Sequence, residues 1–193
     1  MDAASQYALA YALTTTAGLR GFLALLAASA AIHFGWIHPA AAYDWLGSDQ
    51  ATIVLAIFAL LEVVADKVPA VDHALQLASF AIRPVAAAIL VGATVHDASP
   101  AQTYGMMAVG AINALLVNGS AATVRAGSTI TTFGFGNVVL SFVEDVVAFG
   151  GITIAFAKPV LAALLAVVFV VTLFVVARFV FRGVRAMVPR RER

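Results

Sequence analysis

Cysteine is absent from this chain. That excludes disulfides, thiolate nucleophiles and thiolate metal sites. Charge is scarce: Asp, Glu, Lys and Arg make up 11% of the residues, against roughly a quarter in an ordinary soluble domain. Enzyme signatures are also missing. There is no glycine-rich nucleotide loop, no paired-histidine metal motif and no serine nucleophile elbow. The chain therefore reads as a non-enzyme with no metal site, and its cofactor, if any, is unknown. His33, His38, His73 and His96 lie scattered near the ends of apolar runs, where a histidine needs no ligand role. A basic start is lacking too. Asp2 and an apolar run that continues past Arg20 argue against a cleaved signal peptide.

What is present is apolar surface. Of 193 residues 63% are hydrophobic, and the mean hydropathy is +1.00. These values predict an all-α integral membrane protein, read as one membrane domain over 1–193. A bilayer core about 30 Å thick needs about 20 helical residues. Six spans are expected, at about 17–36, 51–66, 83–97, 102–119, 134–156 and 159–181. An apolar segment at 5–16 is too short to cross alone. It either lengthens the first helix or forms a re-entrant or interfacial piece. Lys67-Val68-Pro69 ends the second span, since proline has no amide hydrogen and restricts its predecessor. Residues 70–81 read as a short amphipathic helix with Asp72, His73 and Gln76 on its polar side. The glycine- and threonine-rich stretch 119–136 reads as a long connection. Within it, 127–136 is either a re-entrant segment lining a pathway or a cytoplasmic loop, because irregular backbone at membrane depth is tolerated only under cover.

Lysine and arginine counts orient the chain. Loops 37–50 and 97–101 carry neither, while 67–83 and 119–133 do. Arg178, Arg182, Arg185, Arg190, Arg191 and Arg193 crowd the C-terminus, all but Arg178 within a basic tail over 182–193. Both termini are therefore expected on the cytoplasmic side of a bacterial inner membrane. The tail faces anionic headgroups rather than nucleic acid.

An internal repeat is suggested by Arg83-Pro84-Val85-Ala86-Ala87-Ala88-Ile89-Leu90 and Lys158-Pro159-Val160-Leu161-Ala162-Ala163-Leu164-Leu165. Each copy would open the third helix of its half, after an acidic stretch in the second. Halves over about 5–97 and 102–181, with three helices each, must run in opposite senses. That predicts a 3+3 inverted repeat, with sites where the halves meet.

Ionisable groups inside apolar runs are functional candidates by default. Glu62 and Asp66 are four residues apart and share a helix face. Asn137, Ser141 and Glu144 form one polar stripe, with Asp145 at its edge. Two carboxylates at a helix centre would cost about 5–7 kcal/mol on an insertion scale. Something must offset that cost, and Arg20, Arg83, Arg125 and Lys158 are the cations at hand. Arg20, Arg83 and Lys158 are taken as the counter-charges. Asn113 and Asn118 are further interior polar candidates. Gly18, Gly21, Ala24 and Ala28 give the first helix a small-residue edge, for close packing or a dimer contact.

Four stretches together resemble a bacterial membrane family catalogued as domain of unknown function 4126. They are Gly18-Leu19-Arg20-Gly21-Phe22-Leu23, Leu61-Glu62 through Asp72-His73, Arg83-Pro84, and Gly134-Phe135-Gly136-Asn137 running through Ser141 to Glu144-Asp145. The likeness covers about 15–180. Val138 stands where that family often has proline. The resemblance implies a polytopic membrane protein and supplies no activity. A weaker likeness, to cation exchangers with Glu-x-Gly-Asp-Lys motifs in inverted halves, lacks the glycine and has one residue too many between Glu62 and Asp66.

The expectation is a small transporter or channel for an unidentified ion or small solute. Glu62, Asp66, Asn137, Ser141, Glu144 and Asp145 would form its site. Its partners are the lipid bilayer and a second copy of itself. Two alternatives stand beside it: a structural or assembly subunit fixed by buried ion pairs, and a membrane enzyme acting on lipid.

Overall fold

Asp2 starts the first helix by accepting a hydrogen bond from the Ser5 amide at 3.0 Å. In the computed structural model, which describes residues 1–65, 67–96 and 98–187 (the side chains of 69–73 and 187 excepted), that helix is α1, Ala3–Ala17. There follow α2 (Gly21–His33), a 3-10 segment (Ala41–Gly47), α3 (Asp49–Ala65), α4 (Pro69–Thr94), α5 (Pro100–Thr132), α6 (Phe135–Ala157) and α7 (Pro159–Met187). No strand occurs among the described residues.

The helix α1 lies at the centre and touches α4, α5, α6 and α7. It is not amphipathic, and polar residues are buried on it as well as apolar ones: Gln6, Thr14, Thr15 and Thr16 join Leu9 and Leu13. Such a helix is covered on all sides. Its hydroxyls are satisfied locally, as where Thr16 Oγ1 donates to the Ala12 carbonyl at 3.1 Å. Across the interface, Asn113 Nδ2 of α5 donates to Thr14 and Thr15 Oγ1. By contrast α7 turns Leu164, Val168, Val171 and Phe179 outward, an apolar surface suited to lipid. Ala74–Thr94 of α4 and all of α5 and α6 and most of α7 are long and apolar enough to cross a membrane; the 3-10 segment with α3, bent by 64°, makes a fifth candidate.

The structure departs from the sequence expectations in three places. First, 5–16 does not run on into the expected first helix. It belongs to α1, a separate central helix, and the expected span at 17–36 shrinks to α2 because the chain is interrupted at Gly18–Arg20. Second, 70–81 and 83–97 fuse into α4, with Pro84 in its interior. Proline forfeits one backbone hydrogen bond, which a membrane helix packed among neighbours tolerates. The two cation-proline pairs are therefore not equivalent in place. Lys158-Pro159 separates α6 from α7, whereas Arg83-Pro84 lies mid-helix.

Third, 119–132 is helix, not connection, and the expected re-entrant or loop segment at 127–136 does not exist as such. At 33 residues, α5 is about 50 Å long, well beyond the bilayer core. The threonines cap carbonyls one turn back: Thr129 on Arg125 O, Thr131 on Gly127 O, Thr132 on Ser128 O. Hydroxyls used this way let a threonine-rich stretch stay helical. The turn into α6 needs two residues, Phe133 and Gly134, both left-handed with φ of 54° and 89°.

Candidate functional site at the break between α1 and α2

A helix interrupted inside a bundle leaves amides at one end and carbonyls at the other without helical partners. Here the interruption is short. α5 crowds Gly18, where a Cβ would fall 2.6 Å from Val117 Cβ. Arg20 is extended, with φ −141° and ψ 90°. Each exposed end is met by a side chain of opposite charge. At the start of α2 the Glu62 carboxylate accepts from the Gly21 amide at 3.0 Å and the Phe22 amide at 3.1 Å. At the end of α1 Arg83 Nη1 donates to the Gly18 carbonyl at 3.1 Å. The pairing follows the helix dipole, anion at the N-terminus and cation at the C-terminus. Glu62 and Arg83 also face each other, with Oε1 and Nε 3.9 Å apart.

Arg83 is held by α5 as well, through Asn118 Oδ1. Asn118 is fully buried and also bonds Ser79 and Gln76 of α4. The Nε of Arg83 is buried and makes no hydrogen bond.

A second cluster is organised on Arg20, whose side chain is wholly buried. Its Nε donates to Asp145 Oδ1 at 2.8 Å, and its Nη2 reaches Ser141 Oγ at 3.1 Å and Ser141 O at 3.3 Å. Lys67 completes Asp145 from the other side, Nζ to Oδ2 at 2.6 Å, and also donates to the Val63 carbonyl. The Lys67 ammonium stands 4.8 Å above the Phe142 ring. Arg125 grips Glu144 with two bonds, of 3.0 and 2.6 Å, the fork geometry that favours arginine over lysine. Arg20 Nη2 approaches Glu144 to 4.0 Å. The cost of the buried acids is thus offset by Lys67 beyond the end of α3, by Arg125 of α5 and by Arg20 at the break itself.

Space differs between the two clusters. A cavity of about 350 Å³ opens between α3 and α4. Arg20, Glu62 and Arg83 line it, Phe22, Phe58, Leu61 and Ile82 form apolar wall, and Gln76 and Ser79 add polar atoms. Phe58 and Leu61 are themselves exposed, so the rim meets the outer surface. Glu144 borders a space of about 90 Å³ whose other walls are apolar. A third hollow, about 250 Å³ between α1, α6 and α7, is reached by no charged residue.

Of the residues expected at the site, Glu62, Ser141, Glu144 and Asp145 come together, with Arg20 and Arg83 as counter-charges. Asp66 lies outside the described residues, as do the side chains of Asp72 and His73 and the tail over 188–193. Asn137 does not join the charges: its Nδ2 donates to Thr129 Oγ1 at 2.9 Å. Lys158 is a correction. It is exposed at the junction of α6 and α7 and forms no ion pair among the described residues. Lys67 takes the counter-charge role instead. Its signal was its place at the C-terminal end of a helix, where a cation is favoured. The two amides of Gly21 and Phe22 had no side-chain signal at all. The small-residue edge serves internal packing: Ala24 and Ala28 are fully buried, and a Cβ on Gly21 would meet Arg83 Cγ at 3.3 Å. No group of three or more metal-ligating side chains occurs among the described residues.

Long apolar helices around a central broken one, with a buried charge network at the break, define a polytopic helical membrane protein. The chain belongs to the family described as Domain of unknown function (DUF4126), which it matches over residues 7–179. Comparison with curated proteins and with solved structures finds no match.

Proposed function

We propose that this protein is a small transporter or channel of a bacterial cytoplasmic membrane that admits an ion or small solute to the α1–α2 break. One observation carries the reading. The cavity between α3 and α4 reaches Glu62 and Arg83, the side chains that cap the two half-helix ends. Ends of discontinuous helices supply ready-made polar groups at membrane depth, and transport sites are commonly built on them. In this reading α1 and α2 form one broken span, α3 to α7 supply five more, and both termini are cytoplasmic. Glu62 on α3 and Glu144 on α6 each stand on the middle helix of a half, the feature that favours an inverted 3+3 plan.

A structural or assembly subunit is the second reading. It is favoured by the Arg20–Asp145–Lys67 and Arg125–Glu144 cluster, which is densely paired and has only a space of about 90 Å³ beside Glu144.

Flux into liposomes across a panel of ions and small solutes tests the proposal. Glu62→Gln is expected to change uptake of the transported solute. Uptake indifferent to both Glu62→Gln and Glu144→Gln would remove these residues from the mechanism. Single cysteines at Trp45 and Ala98 are expected to label from outside in oriented vesicles. Failure of both to react would undo the orientation.

A further inference from the structure

The cavity between α3 and α4 has a composition that constrains its occupant. One end is polar: the Glu62 carboxylate, which accepts from the Gly21 and Phe22 amides at the start of α2, and Arg83, 6% exposed, with an Nε that makes no hydrogen bond. The rest is apolar, with Phe22, Phe58, Leu61 and Ile82 around a volume of about 350 Å³. That volume lies at the small end of the range for small-molecule sites. A bare inorganic ion would leave the apolar wall unused, and a polar solute would be desolvated against it without hydrogen bonds in return.

What occupies the amides in this structure is the carboxylate of Glu62, delivered by a short aliphatic stem from α3. We propose that the cavity binds an apolar-tailed monocarboxylate whose head takes the place of the Glu62 carboxylate beside Arg83 and the α2 amides, its tail lying along Phe58, Leu61 and Ile82. This rests on the transport reading of the same site and names its substrate class. The charge count within the pair is simple. Glu62 and Arg83 neutralise each other, so an entering anion competes with Glu62 for the same donors. Removing the Glu62 charge weakens the competitor, since a neutral amide oxygen is a poorer acceptor than a carboxylate. Buried donors left without an acceptor are costly, which is why a ligand carboxylate is held once Glu62 has moved aside.

Equilibrium binding of radiolabelled hexanoate to the purified full chain in lipid nanodiscs tests this, with hexylammonium as the control of equal tail length. Saturable binding of hexanoate and none of hexylammonium is expected. Glu62→Gln should bind hexanoate about tenfold tighter, and Arg83→Gln about tenfold weaker, each near 1.4 kcal/mol. Ala65 also lines the cavity, so Ala65→Trp fills it without removing a charge and should abolish binding even if Arg83→Gln does not fold. Equal binding of both ligands, or hexanoate binding unaffected by Glu62→Gln and Ala65→Trp, would overturn the proposal. Displacement of hexanoate by phosphatidate but not by octanoate would overturn it too, by assigning the cavity to a lipid phosphate. Saturable binding with no flux of any solute keeps this inference and removes the transport reading. Flux of a cation that Glu62→Gln abolishes, with no hexanoate binding, does the reverse.

Discussion

Two glutamates in this protein sit in chemically similar surroundings and differ in what lies beside them. Glu144 on α6 is held by Nε and Nη2 of Arg125 and borders little free space. Glu62 on α3 is held by two backbone amides and a more distant arginine, and it faces a cavity of about 350 Å³. The first arrangement is closed: every change there must leave a buried partner stranded. The second is exchangeable, because amides and a guanidinium accept any oxyanion of suitable reach. Burial and charge alone therefore do not separate a structural acid from a working one. The type of partner and the neighbouring volume do.

The largest expected effect breaks the closed side at its hub. Arg20→Met strips Asp145 and Ser141 of their central donor and should cost about 3–5 kcal/mol, the range for removing one member of a buried pair. A lowered thermal midpoint by circular dichroism in detergent, with aggregation on size exclusion, is the readout. Unchanged melting would mean the Arg20 network contributes little to the fold. Next comes the direct contrast between the two acids. Glu144→Gln is expected to destabilise by about 3 kcal/mol through the stranded Arg125 fork, with little effect on flux of whatever is carried. Glu62→Gln should lose about 1 kcal/mol, since one amide oxygen still accepts from the α2 end, while altering flux. Equal stability losses, or the opposite division of effects, would erase the distinction between the sides.

A smaller effect probes the break itself. Gly18→Val pushes a side chain into Val117 and the Ala114 carbonyl and should cost about 1–3 kcal/mol, as overpacking does. A melting temperature equal to that of the wild type would show that α5 yields there. The smallest effect lies far from either side. Hydrogen bonds from Ser5 hold the Asp2 carboxyl below its ordinary value. A depressed carboxyl stabilises above its unfolded value and loses that contribution as the pH falls through the folded one. Fraying of the first turn of α1 is therefore expected only at acid pH. Faster amide exchange at Ser5 below that point, and at all pH values in Asp2→Ala, is the check.

Much of this was legible in order along the chain. The apolar runs placed α3, α6 and α7 within a few residues, and acids inside such runs marked Glu62, Glu144 and Asp145. Arg20, interrupting an apolar stretch, marked itself as a partner. The misses share a physical cause. Threonine hydroxyls that bond their own helix do not look like helix formers on paper, so α5 was cut short at Gly119. Pro84 looks like a helix start unless neighbours hold the turn around it, so α4 was divided. Lys158 and Lys67 carry the same charge in sequence. Only three-dimensional packing brings one of them to Asp145 and leaves the other exposed.

Sequence by itself determined that the chain belongs in lipid and that a few ionisable groups would have to be paired there, because apolar transfer and charge desolvation depend on residue type and local run length. The tertiary structure decided which charges meet, that backbone amides at a broken helix hold one acid while an arginine fork holds another, and where space remains. Those outcomes depend on groups brought together from distant parts of the chain, and local pattern carries no record of them.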